Sequence, residues 1–465
     1  MSDDPATLIV DTLGFRVPCR SFYVRANVTR DRPLPVVDEF FLRLLRICGQ
    51  INFERAGDFF GFTTGETEKV VCDLVAKDLV LVEGNQLRLS TVATGLFQAS
   101  AGDEPRLVEL ESWVENVWID LVSRGFVARP RQRAFRNLVD VPAAPGAIDL
   151  PTDFARAAFQ ENFRDYVTNV RRIREPERIS IHSIAGVESD RYGSIVIAGR
   201  KTITLGDRRP KLEFDGAADT SRPHMMQMTQ SLSTEYGRLI QPRARTKSLA
   251  DFERLSGLQV RAFLNGDLEF DLPRWLQERP GLGDGSKAWV IGAPYVQANF
   301  AAIAERLKTK KDSQLKPNIR WLRPGGTAWG MTVDLGISLD AFRHLVGLPD
   351  VPKFSGTTLL MPKAAARLAE KSVARMFERG EEAPANLGSE LEILVVGQVV
   401  AMILVHVSVG RGETIPIGIL TDHPQLVAHL DAQLRGPNTQ VWATNAKKGA
   451  AVSSMQLPDS KSTEI

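Results

Sequence analysis

Three cysteines in 465 residues, at Cys19, Cys48 and Cys72, exclude a disulfide framework. Their number is odd and no CxxC spacing occurs, which also excludes a cysteine zinc site and suits a reducing compartment. An excess of charge of either sign is missing too. Lys and Arg number 58 against 56 Asp and Glu, a net +2, so no chain-wide field draws the protein to nucleic acid or to a membrane, and an electrostatic site must be a local cluster. The acidic start, Met1 to Pro5, lacks a basic stretch followed by an apolar one, so no secretory signal is expected and the cytoplasm is the expected compartment. Histidine is scarce. His182, His224, His344, His406, His423 and His429 show neither HExxH nor His-x-Lys spacing, so neither a metal nor a cofactor is expected, and His406, in an apolar run, reads as a satisfied core residue. A membrane-spanning run is also lacking. Leu391 to Val407 is short of the roughly 20 residues a span requires, carries Glu392, and is cut by Gly397 and Gln398, which read as a tight turn between two buried strands.

What is present divides the chain. At 43% hydrophobic and with domains of about 100–200 residues each, the sequence predicts a multidomain protein of mixed α/β and α+β class. Over 36–98 the pattern is helix, helix, helix, hairpin. Phe40, Phe41, Leu44, Leu45 and Cys48 recur at helical spacing up to Gly49, a second helix runs from Phe53 to Phe60, and Thr63 with Glu66 has capping-box spacing ahead of Val70, Val71, Leu74 and Val75. Leu79–Val82 and Leu87–Leu89 then flank a Gly-Asn turn.

The segment 100–262 predicts a mixed α+β module. Leu107, Leu110, Trp113, Val114, Val117 and Leu121 fit a helix, although Val117, Ile119 and Leu121 also fit a strand; the helix is preferred. Val141 to Gly146 reads as a linker and Asp153 to Arg172 as an amphipathic helix. Ile179–Ile184, Ser194–Ala198 and Thr202–Leu205 read as three strands, with Glu188, Asp190 and Arg191 in a turn between them. From 263 to 436 strands alternate with helices: Ala288–Gly292, then a helix over Phe300–Leu307, Ile319–Leu322, a helix over Ala364–Phe377, the valine-rich pair, Ile415–Leu420, and a helix over Gln425–Leu434. Leu368, Val373, Phe377, Leu426, Leu430 and Leu434 are the expected core positions of the last two helices. The tail 437–465 is polar and expected to be disordered. Gly281 to Lys287 is glycine-rich but precedes a strand, whereas a phosphate loop follows one, so it reads as a solvated turn.

The segment 36–98 resembles a winged helix-turn-helix. Glu390 to Leu434 resembles the end of a phospholipase-D-type domain, and Ala288 to Leu307 resembles that family's first strand, loop and helix. The family's His-x-Lys-x4-Asp motif is not kept: on alignment of the apolar strand, Glu390 stands at the histidine position, Glu392 at the lysine position and Gly397 at the aspartate position. A carboxylate 4 Å from a phosphate repels it by roughly 1 kcal/mol in water and about 4 near a protein surface. The resemblance therefore implies a domain without phosphodiester chemistry and a protein that is not an enzyme, with no catalytic residue.

A winged helix followed by such a domain resembles certain sugar-responsive prokaryotic transcription regulators, which implies DNA as a partner, a ligand-binding second domain, and a homodimer or other protein partners. Expected DNA contacts are Thr64, Lys69, Lys77 and Arg88 in the head. Arg129, Arg131 and Arg133 come from an acid-free run that also holds Arg124 and Arg136. Lys308, Lys310 and Lys311 come from a run in which Arg306, Lys316, Arg320 and Arg323 surround Asp312 alone. Charge runs are also the usual composition of solvated faces. Glu66, Glu68 and Asp73 on the third helix oppose entry into a major groove, so the runner-up is a non-catalytic subunit of a bacterial nucleic-acid-processing or phage-defence assembly. An enzyme with its site hidden in the middle module ranks third.

Overall fold

The computed structural model describes residues 7–98, 105–130, 136–204, 209–215, 223–240, 246–283, 285–349, 355–436 and 438–443. Among them the strands form three sheets, and the class is mixed α/β and α+β as expected.

The smallest sheet belongs to the head. Helix α1 (Val36–Cys48) stops at Gly49, which has φ 72°. A short β2 (Gln50–Asn52) leads into α2 (Phe53–Phe60), whose amino end Asn52 caps and whose carboxyl end passes into left-handed Gly61. Helix α3 (Thr64–Ala76) opens on the expected capping box: the Thr63 amide donates to Glu66 at 2.8 Å and the Glu66 amide to Thr63 Oγ1 at 3.4 Å. Strands β3 (Val80–Glu83) and β4 (Gln86–Leu89) form the hairpin, with β2 on the far side of β4. Helix α4 (Thr91–Gln98) follows. Phe41, Leu42, Leu45, Ala56, Val71, Leu74 and Leu87 close a core drawn only from residues 34–97.

The middle sheet is built on a strand outside every segment assigned from sequence, β1 (Thr7–Pro33), 27 residues long. It pairs antiparallel with β5 (Arg106–Asp120), from Cys19 opposite Asp120 to Pro33 opposite Arg106, so the head is an insertion held between two paired strands. The expected helix over 100–135 is thus corrected. Trp113, Val117 and Ile119 alternate into a core and Val108, Leu110 and Val114 stay exposed, which is the period of a strand. Short β6 (Phe126–Val127) and β7 (Val139–Asp140) add to β5 and β1.

Val141 to Gly146 is no free linker: the Ala144 amide donates to Leu121 O, and Ala147 and Leu150 enter the core. The expected helix from Asp153 breaks into α5 (Thr152–Glu161), a short α6 (Phe163–Asp165) and a π-turn at Tyr166–Val170. The three expected strands are one, β8 (Ile179–Thr204), which follows β1 along its length. The supposed turn at Glu188 to Arg191 lies at a bulge in β8, where Asp190 accepts from Ser21 Oγ and Glu188 pairs with Arg25. β9 (Lys211–Phe214) closes the sheet, and α7 (Pro223–Leu239) lies against its lower end. β1 buries Leu13, Phe15 and Val17 toward α7, then Phe22, Val24, Ala26 and Val28 toward α5. The change from odd to even positions means that opposite faces of one sheet are covered at its two ends.

The third sheet runs in the order β10-β16-β15-β14-β11-β12-β13-β17, with β11-β12 and β12-β13 parallel and the remaining pairs antiparallel. Its strands are β10 (Lys287–Ile291), β11 (Ile319–Leu322), β12 (Thr357–Met361), β13 (Arg379–Glu382), β14 (Leu391–Val396), β15 (Val400–Gly410), β16 (Glu413–Thr421) and β17 (Gln440–Ala443). Gly397 and Gln398, both at positive φ, make the expected turn between β14 and β15.

Helices α8 (Thr246–Ser256), α9 (Leu272–Glu278) and α13 (Pro424–Leu434) cover one face, where Leu391, Ile393 and Val395 point. Helices α10 (Gln297–Lys308), α11 (Val333–Leu345) and α12 (Ala366–Val373) cover the other, with Leu394 and Val396. Burial on both faces explains the unbroken Val/Ile run. No described helix is long and apolar enough to cross a membrane. Two expectations change here: the tail supplies an edge strand, since Trp442 packs flat on Gly380 opposite it, and Leu368 is exposed, because Ala365, Ala369 and Val373 form the buried stripe of α12 instead.

Candidate functional site

The polar site grows from one carboxylate. Glu392 lies on β14 on the side of Leu394, in an apolar layer where an unpaired charge would cost several kcal/mol, and it is wholly buried. Its Oε1 accepts from Trp321 Nε1 on β11 at 2.9 Å and from Trp329 Nε1 at 2.8 Å, while Oε2 meets His406 Nε2 on β15 at 2.8 Å. His406 is therefore a partnered core residue, as expected. The two indoles pack edge-on at 5.6 Å, and the buried Arg323 guanidinium lies 4.9 Å over the Trp329 ring while donating to Pro324 O and Gly326 O. Glu390, two residues back on the same face, is also buried.

Beyond this cluster the lower ends of β1 and β8 dock on the third sheet. The Ala293 amide donates to Val10 O at 2.9 Å and the Gly14 amide to Met331 O at 2.7 Å. Gly292, at φ 100°, is required there: a Cβ would come within 3.1 Å of the Val10 backbone. Asp11 Oδ1 accepts from Tyr295 Oη and from the Thr12 amide, each at 2.8 Å. Burial raises its carboxyl from 3.8 to about 6, against the opposing pull of Lys201, the Tyr295 and Thr12 hydrogen bonds and His406. Lys201 pairs with Glu413 and donates to Thr414 O, and Tyr236 Oη donates to Glu413 at 2.8 Å. Burial and the Glu413 carboxylate hold the Tyr236 hydroxyl protonated far above its ordinary range.

Asp11, Lys201, Tyr236, Glu390, His406 and Glu413 enclose a cleft of about 70 Å³. Three carboxylates, those of Asp11, Glu390 and Glu413, line the cleft with Lys201 and His406, and Glu392 meets His406 from behind, a balance that repels phosphate. No group of metal ligands occurs among the described residues.

The residues named from sequence as DNA contacts do not converge. Thr64 and Lys69 are exposed on α3. Lys77 pairs with Asp38 at 2.6 Å and Arg88 with Glu83. Arg129 is exposed, while Arg131 and Arg133 lie outside the described residues. The second basic run is neutralised in space by acids remote in sequence: Asp422 binds Arg306 and Lys310, and Asp431 binds Arg320 and Arg435. Lys308 and Lys311 remain exposed. Sequence reasoning missed Asp11, Lys201, Tyr236 and Glu413, whose only signal is charge or a hydroxyl within a strand or an amphipathic helix.

No family model and no curated protein matches the chain. Among solved structures it is similar to Nuc, a phospholipase D family member from Salmonella typhimurium, at 11% identity and a TM-score of 0.22, over 34% of this chain and 99% of that one. It is also similar to TrmBL2, an archaeal chromatin protein, at 9% identity and a TM-score of 0.21, over 86% of this chain and 91% of that one. Likenesses at these TM-scores establish neither fold nor function.

Proposed function

We propose that this chain is a non-catalytic DNA-binding protein, a winged-helix transcription regulator whose phospholipase-D-like C-terminal unit serves as a sensor or interaction module. The observation that carries the reading is the complete head, α1-β2-α2-α3-β3-β4, with Thr64 and Lys69 exposed on α3. The non-catalytic half is supported by Glu392, which fills the lysine position of the lost motif and spends its acceptor capacity on two indoles and a histidine.

A second reading, with the head docking protein instead of DNA, is favoured by one observation: Val36, Ile47 and Phe59 are 69%, 83% and 67% exposed, while α3 carries Glu66, Glu68 and Asp73. Titration of a duplex over a salt series separates the two. The DNA reading expects a log–log slope of about −0.9 per phosphate contact; absence of binding at low salt refutes it.

A further inference from the structure

Helix α12 has two faces. Ala365, Ala369 and Val373, four apart, are buried against the sheet. Two residues out of step, and so on the reverse side, stand Arg367 and Lys371, with Lys363 in the 3-10 turn that leads into the helix, Arg375 in the turn that follows it, and Arg379 at the start of β13. All five are exposed, and none takes an ion pair or side-chain hydrogen bond among the described residues. The acids of the same stretch are Glu370 and Glu378, and Glu378 accepts from the Gly356 amide at 2.7 Å.

The row borders a groove of about 300 Å³ between α12, α7 and the segment before β7. Lys371 lines one wall, Arg136 and Arg238 the others, with Leu138, Leu239 and Met331 below. The acids in this groove are already engaged, Asp140 by Arg16 and Glu235 by Arg238, each at 2.5 Å. Arg136, the last residue of the acid-free arginine run in the sequence, lines this groove opposite Lys371. In a chain whose net charge is +2, such a concentration is local, and its five cations outnumber the two acids of the same stretch.

We propose that the Lys363–Arg379 row, with Arg136 across the groove, is a second DNA contact that takes the phosphate backbone of a duplex. The proposal rests on the DNA reading of the head and adds where the rest of the duplex lies. Arg367 and Lys371, four residues apart on α12, are separated by a rise of about 6 Å, and a duplex presents a charge about every 1.7 Å of its axis, so exposed cations at this spacing find phosphates in any register. The contact strengthens binding without reading bases. An acidic protein surface offers the same charge, and the experiment distinguishes it.

Fluorescence anisotropy of a labelled duplex with the full chain, from about 50 to 200 mM salt, tests this for Arg367→Ala, Lys371→Ala and Arg375→Ala combined, and for Lys69→Ala in the head. Alanine preserves helix propensity, and an unchanged melting temperature certifies the fold of the triple variant. The expected result is a slope shallower by about 2.7 for the triple variant, at about 0.9 per contact, and equal loss of affinity on unrelated duplex sequences. A triple variant with unaltered slope, beside a Lys69 variant that weakens binding, overturns the α12 contact and leaves the DNA reading standing. No binding by the wild type at the lowest salt overturns both, and the row then belongs to an acidic protein partner.

Discussion

Replacing Asp11 by Asn should stabilise the protein near neutral pH. The Asp11 carboxyl is buried where β1 meets the third sheet, and its pKa is raised from 3.8 to about 6. Holding that charge in the folded state costs about 3 kcal/mol above pH 6, since each unit is worth 1.36 kcal/mol. Two effects oppose the gain from removing it. Lys201 loses an attracting carboxylate, yet keeps Glu413 and Thr414 O. Tyr295 Oη and the Thr12 amide exchange a charged acceptor for a weaker neutral one, yet both bonds remain, because an amide oxygen accepts them. Desolvation is the largest contribution to the shift, so stabilisation should win. The sign with pH follows from a raised acid: its favourable contribution is complete below about pH 4 and is lost as pH rises through 6. The difference between Asp11→Asn and wild type should therefore be near zero at pH 4, grow to pH 6 and stay level above. Urea unfolding monitored by tryptophan fluorescence across pH 4 to 8 measures it. A variant less stable than wild type at pH 7, or a difference that does not change with pH, refutes the desolvation argument.

Glu392→Ala leaves two indole N–H groups and His406 without their buried acceptor, at about 1–3 kcal/mol for each orphaned donor, and should lower the urea midpoint sharply. Glu392→Gln keeps an acceptor for both indoles and should recover most of that loss; equal damage from both variants would show that charge, and not hydrogen bonding, holds the cluster. Hydrolysis of a chromogenic phosphodiester should be absent and unaffected by Glu390→Ala, and metal-independent turnover that disappears in this variant refutes the non-catalytic reading. Deleting the chain from Pro424 strips Val427, Leu430 and Leu434 from the sheet, at roughly 1.5–3 kcal/mol per side chain, and removes Asp431 from Arg320. Aggregation in light scattering is expected, and a soluble truncation with one cooperative transition would contradict the layer order.

Local signals were readable and remote ones were not. The Thr63–Glu66 box, the stops at Gly49 and Gly61 and the Gly397-Gln398 turn each depend on residues within four positions, so the sequence carries them openly. β5 misled because Leu110, Val114 and Val117 fall at helical spacing, although Leu110 and Val114 face solvent and Val117 faces the core. β8 looked like three strands because a bulge places Asp190 and Arg191 within it, and polar residues at a bulge read as a turn. The cleft gathers residues 11, 201, 236, 390, 406 and 413, and no periodicity links such positions. Leucine at the spacing of Leu368 usually marks a core face; here the small residues Ala365 and Ala369 are the buried ones, and the cations at every fourth position mark the outer face.

The distribution of cores says how these parts depend on one another. Val10 and Ile203, from β1 and β8, belong to the core beneath α8 and α13, and Ala328 and Met331, from the third sheet's loops, pack against the core under α7. The lower middle sheet and the third sheet thus share apolar layers, joined further by the Asp11, Lys201 and Asn137 hydrogen bonds. The head shares none: its core draws on residues 34–97 alone and its tie is the β1–β5 ladder ending at Pro33 and Arg106. Stability lost at Asp11 or Glu392 therefore falls on the two lower sheets together, because a shared layer cannot open on one side only. It reaches the head only through a two-strand ladder, whose fraying exposes no residue of the head's own core.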